Sequence, residues 1–226
     1  MTPRTRRRAE ALSRDRIVEA AVELLDTSGE AGLTFRTLTE RLATGAGAIY
    51  WHVANKDELL AAATDGVLAT ALAADAPGPP RDRVRAVALG LFDAIEGHPW
   101  LATQLALQLS RGTVPPRIFE TIGRQVRALG VPQGHWFTTT SALVSYLLGA
   151  AGQNATNARS AGPHTNRDEF LDAVSSAWEE LDPAEYPFTR AVAAELRGHD
   201  DREQFLAGVD LVLAGITAVH LPAGPG

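Results

Sequence analysis

Arg36, Tyr50, Trp51, His52 and Lys56 lie close together in the first quarter of the chain, and each can donate hydrogen bonds to an acidic surface. Arg36 offers a planar fork of N–H groups. Lys56, the only lysine among 226 residues, offers a point charge. Tyr50, Trp51 and His52 combine apolar bodies with polar tips, and Thr34 and Thr44 add hydroxyls. Among them stand Ala46, Gly47 and Ala48, which have almost no side chain. A segment small at its front and bulky at its back can bring its backbone against a grooved, negatively charged partner. The DNA major groove is such a partner. A guanidinium can hold guanine O6 and N7 together, alanine methyls can meet thymine methyls, and hydroxyls, amines and ring N–H groups can hold phosphates.

These side chains need elements to position them. Thr34 can cap a short helix, with Leu33 and Leu38 as the staple across its start. Leu38 and Leu42 then share one face, which must pack on a neighbour because so short a helix is marginal alone. Ala43-Thr44-Gly45 reads as a tight turn, and a second helix is expected over residues 46–52. Asn55 can cap a further helix, with Glu58 returning a hydrogen bond to the cap. That helix is expected to reach about residue 73, with Leu59, Leu60, Ala63, Val67 and Ala71 inward. Upstream, Ser13 can cap a first helix in which Leu12 staples to Ile17. Ile17, Ala20, Ala21, Leu24 and Leu25 keep the helical period, and Gly29 ends it. This helix should cover the two short ones.

The run Tyr50-Trp51-His52-Val53-x-Asn55-Lys56-x-x-Leu59, preceded by Leu33-Thr34-x-Arg36-x-Leu38, resembles the helix-turn-helix of TetR-type transcriptional regulators. The resemblance covers roughly residues 14–71. Beyond them it rests on length, helical content and fragments such as His98-Pro99-Trp100-Leu101. It implies an all-α chain with an N-terminal three-helix DNA-binding domain and a larger C-terminal helical domain for ligand binding and dimerisation. It also implies that Thr34, Arg36, Thr44, Ala46, Gly47, Ala48, Tyr50, Trp51, His52 and Lys56 meet DNA, with Arg36 the base reader. A dimer presenting two such units would read a palindromic operator. Many relatives carry Ser-Lys where this chain has Gly45-Ala46. The exchange removes polar groups from the reading edge and leaves the operator sequence unspecified.

Composition narrows the alternatives. Without cysteine there is no disulfide framework, thiolate nucleophile or cysteine zinc site, and a cytoplasmic location fits. No apolar run approaches the ~20 residues of a membrane span, and the basic N-terminus lacks the apolar core of a signal peptide. The net charge of −6 is uneven: residues 1–60 balance nine basic against nine acidic residues, so the whole acidic excess lies beyond them. Arg4, Arg6, Arg7 and Arg8 form a basic arm that either touches phosphates or is a solvated tail. Six histidines are scattered without metal-ligand spacing, and no serine sits in a nucleophile elbow. No catalytic site, metal or cofactor is expected.

The Pro- and Gly-rich residues 75–82 mark a linker between a domain at 13–74 and another at 83–220, flanked by an arm at 1–12 and a tail at 221–226. The second domain reads as successive helices, with Leu109 and Leu129 among the inward positions and a polar loop over 159–167. Residues 133–157 and 201–219 form long, apolar helices rich in Gly and Ala. They either pack against a second copy of the chain, as the resemblance implies, or are buried within one subunit. Trp100, Gln104, Trp136, Phe137, Tyr146, Asn154 and Trp178 either line a cavity for a small apolar or amphipathic molecule or belong to the core. The expected protein is a homodimeric one-component regulator, a repressor released by an inducer. The alternative is a helical ligand-binding or interaction module that no longer reads DNA.

Overall fold

The computed structural model describes residues 12–73, 77–161 and 167–221, and among them it forms helices and no strands. α1 (Arg14–Gly32) starts where the Ser13 hydroxyl accepts the Arg16 N–H at 3.2 Å. The inward residues are the expected ones: Ile17, Ala20, Ala21, Leu24 and Leu25 are all buried. Gly29 breaks the helix at φ 63°, and the chain makes one more turn to Gly32. A side chain at that φ would be strained, so glycine is what allows the turn.

α2 (Phe35–Leu42) opens with a reciprocal cap. The Thr37 N–H donates to the Thr34 hydroxyl at 3.1 Å, and the Thr34 N–H donates to the Thr37 hydroxyl at 3.0 Å. Leu33 and Leu38 are both fully buried, as the staple requires. α3 (Ala46–Tyr50) is shorter than expected, because Trp51 and His52 already belong to the following turn. α4 (Lys56–Ala71) is capped by Asn55, whose side chain accepts the Glu58 N–H at 2.8 Å. The Glu58 carboxylate takes the N–H of Ala54, one residue ahead of the cap, and not that of Asn55.

The second half is built around α5 (Pro80–Gly97), whose Val84, Val87, Ala88, Leu91, Phe92 and Ile95 are buried. It packs against α4, α6 (Pro99–Ser110), α7 (Pro116–Ala128), α8 (Trp136–Ala161) and α11 (Asp201–His220). Between the last two stand α9 (Arg167–Glu179) and α10 (Pro187–Val192), the latter followed by a 3-10 turn over Ala193–Gly198. Proline occupies the first turn of α5, α6, α7 and α10, where its missing N–H costs nothing.

Three boundaries differ from expectation. α5 begins at Pro80, so the linker ends earlier than residue 82; its residues 75 and 76, with residue 74 before them, lie outside the described ones. α8 runs to Ala161, so the first residues of the expected polar loop are helical, and residues 162–166 lie outside the described ones. α8 also starts late, after a 3-10 turn over Gln133–His135. Leu109, next to the last residue of α6, is exposed, and Leu129, the C-cap of α7, is half-buried against the core. The arm at 1–11 and the tail at 222–226 are likewise outside the described residues.

α8 and α11 lie directly on each other. The Tyr146 hydroxyl donates to the Phe205 carbonyl at 3.0 Å, and Phe205 meets Phe92 with ring centroids 5.1 Å apart. Burial pushes the Tyr146 hydroxyl pKa up. A Cβ at Gly208 would stand 1.9 Å from the Tyr146 oxygen, so this crossing requires glycine. The opposite faces remain open: Phe137, Ala142 and Gly149 on α8, and Leu211, Gly215 and Val219 on α11, are exposed.

Candidate nucleic-acid interface

α3 is too short to hold itself, and its position comes from what lies beneath it. Ile49 and Val53 are buried against the core formed by α1, α2 and α4. Burying such a side chain contributes roughly 1.5–3 kcal/mol. Tyr50 is held from the side: its ring stacks on Phe35 of α2 at 4.5 Å between centroids and 12° between planes. That stacking joins α2 and α3 into one surface. Phe35 was not among the expected site residues, since a partner fifteen positions away leaves no local spacing signal.

The outward side chains converge on this surface. Trp51 is 89% exposed and Tyr50 53% exposed, in a chain whose other tryptophans are buried or half-buried. Arg36 projects from α2 with its side chain 88% exposed and its Nε 3.0 Å from Glu40 Oε1. Such an exposed pair is weak enough to open for a better acceptor. Ala46 and Gly47 are exposed, while Thr44, Ala48 and His52 are half-buried. No atom lies within 4 Å of a Cβ built on Gly45 or Gly47. The fold would therefore accept side chains there, and their absence leaves a bare front that a partner can approach. Thr34 is exposed, but its hydroxyl is engaged with Thr37. Lys56 sits at the foot of the surface with its ammonium donating to the Glu30 carbonyl at 2.7 Å. An ammonium has three donors, so this bond leaves two.

The seven expected pocket residues are not gathered into one cavity. Trp100 is buried, with its indole N–H on Asp26 at 2.7 Å, and Gln104 donates to Glu30 at 3.0 Å, so α6 turns both toward α1. Trp136 donates to the Val131 carbonyl at 2.7 Å under the guanidinium of Arg127, and Phe137 is exposed beside Phe119. Tyr146 serves the α8–α11 crossing, and Trp178 is half-buried on α9. Asn154 alone of the seven lines a cavity of about 530 Å³, together with Phe92, Ile95, Pro99, Arg167 and Arg202. The indole N–H groups of Trp100 and Trp136 are spent within the chain.

Comparison with known proteins decides what kind of molecule carries this surface. The family model described as "Bacterial regulatory proteins, tetR family" matches residues 17–63, and "Tetracyclin repressor-like, C-terminal domain" matches residues 75–220. The chain belongs to the TetR family. A curated relative from Saccharopolyspora erythraea, an HTH-type transcriptional regulator, is 30% identical over 213 residues, covering 92% of this chain and 85% of its own. A solved TetR-type regulator from Streptomyces coelicolor is 70% identical with a TM-score of 0.84, covering 92% of this chain and 99% of that one. BioQ, solved with its double-stranded DNA operator, is 27% identical with a TM-score of 0.58, covering 92% of this chain and 99% of that one. As a TetR-family transcriptional regulator, the chain carries its helix-turn-helix in the N-terminal helices, where α2 and α3 lie, and α5–α11 form the C-terminal helical domain.

Proposed function

We propose that this protein is a one-component repressor that binds a palindromic operator as a homodimer in the cytoplasm and is released by a small molecule bound among α5–α11. The observation that carries the reading is the exposed group of Arg36, Tyr50 and Trp51 beside the bare front of Ala46 and Gly47. Arg36 reads a base edge, Ala46, Gly47 and Ala48 lie along the groove floor, and Thr34, Thr44, Tyr50, Trp51, His52 and Lys56 hold the backbone. A dimer of this kind forms along the open faces of α8 and α11, where small residues allow close helix contact. The inducer is apolar or amphipathic: Phe92, Ile95 and Pro99 supply an apolar wall to the 530 Å³ cavity, and Asn154 with the charged rim of Glu96, Arg167, Asp200, Asp201 and Arg202 supplies its polar side. The resemblance of the N-terminal helices to DNA-binding relatives supports the operator, and the cavity supports the inducer. Selection of bound duplexes from a random-sequence library tests the reading. Enrichment of an inverted repeat with half-sites about one helical turn or more apart is expected; recovery of unrelated sequences would contradict it.

A further inference from the structure

α1 meets α6 through two acidic side chains on its C-terminal turn. Asp26 Oδ1 accepts both the Trp100 indole N–H at 2.7 Å and His98 Nδ1 at 2.8 Å. A carboxylate can only accept, so Nδ1 carries the proton. One turn on, the Glu30 carboxylate accepts from Gln104 at 3.0 Å, and the Glu30 main-chain carbonyl accepts from Lys56 at 2.7 Å. Glu30 follows Gly29, whose φ of 63° releases the turn from the body of α1. A single residue thus touches the C-terminal domain through its side chain and the start of α4, just after α3, through its backbone.

We propose that the turn Asp26–Gly32 is a strut by which α6 sets the position of the recognition unit, with Trp100 and Gln104 as positioning residues and not inducer contacts. Their polar atoms face α1, and no contact between them and the 530 Å³ cavity is needed for the effect. Lys56 is held by Glu30 at a place where its free donors can reach phosphate. Loss of the Gln104 bond loosens the Glu30 turn and, with it, Lys56. The strut rests on the DNA-binding reading above, but it makes a claim that reading does not: Gln104 and Lys56, which do not touch, are energetically coupled through Glu30.

A double-mutant cycle on operator affinity tests this, using the full-length chain and a duplex enriched by the wild type. Gln104→Ala should weaken binding about three- to five-fold, the size of one modest hydrogen bond, and should leave the chain folded at the assay temperature because Gln104 is half-buried and outside the apolar core. In a Lys56→Ala background the same substitution should change affinity by less than about 1.5-fold, because the strut then has nothing left to hold. In an Arg36→Ala background it should cost its full factor, since Arg36 pairs with Glu40 and lies off the path. Asp26→Ala should behave as Gln104→Ala does, and Asp26→Asn, which keeps an oxygen acceptor, should restore most of the affinity. Equal losses from Gln104→Ala in the wild-type and Lys56→Ala backgrounds, or no loss in either, would overturn the strut while leaving DNA binding intact. A wild type that enriches no duplex would overturn the DNA-binding reading and the strut together.

Discussion

Trp51 is the residue at which fold and function separate most cleanly. A tryptophan normally buries a large apolar area, yet this one is 89% exposed while its neighbour Ile49 is fully buried. Trp51→Ala is therefore expected to leave the thermal midpoint within about 2 °C of the wild type and to weaken DNA binding clearly; a large loss of stability in melting experiments would mark Trp51 as structural. Arg36 makes a different prediction, because it is assigned to a base and not to a phosphate. Arg36→Ala should cost about 1–3 kcal/mol on the enriched operator and much less on random DNA. Equal losses on both duplexes, read by titration, would remove Arg36 as a base reader. The exposure of these residues was legible in the sequence, since small residues followed by unmatched aromatics fit no single-face pattern. The pocket residues were not: Trp100 and Trp136 have the composition of a ligand site, and only the fold shows their N–H groups committed to Asp26 and the Val131 carbonyl.

At the scale of elements, α4 ties the N-terminal helices to the rest through an ion pair as well as through its buried face. Arg117 of α7 holds Asp65 with two hydrogen bonds, Nε at 3.0 Å and Nη2 at 3.1 Å. The bond to Arg117 keeps the Asp65 carboxyl below its ordinary value of 3.8. A depressed folded-state value means that the pair contributes stability above pH 3.8 and loses it as the pH falls through the lowered value. Asparagine cannot titrate, so the stability difference between wild type and Asp65→Asn should be largest near neutrality and shrink at about pH 3 in denaturant titrations. A constant difference across that range would mean that the pair is screened into irrelevance. The starts of α1, α2, α4, α6 and α7 were legible because Ser13, Thr34, Asn55, Pro99 and the Pro115-Pro116 pair act locally. The end of α8 was not, because no proline or glycine interrupts residues 153–161 and the polar side chains there do not by themselves stop a helix.

For the whole molecule, the proposed dimer rests on the open faces of α8 and α11. Leu211 is 75% exposed and Val219 is 72% exposed on the side of α11 facing away from the core. Leu211→Glu should convert a dimer to a monomer in sedimentation without unfolding it, and should weaken operator binding because two half-sites are no longer held together. A mutant that remains dimeric would move the interface elsewhere. The sequence displayed these helices as apolar and rich in small residues, but could not distinguish a face buried in one subunit from one left open. In the structure Tyr146 closes on Phe205 and Gly208 on one side, while Leu211, Gly215 and Val219 stay exposed on the other. Specific DNA binding by the proposed dimer underlies each of these expected effects on operator affinity. Its most direct test is fluorescence anisotropy of the full-length chain on the enriched duplex and on a scrambled one, at two salt concentrations. Affinity for the enriched duplex ~10³-fold or more above the scrambled one, weakened by salt and saturating at one dimer per site, is the predicted result. Equal, weak binding to both duplexes would contradict it.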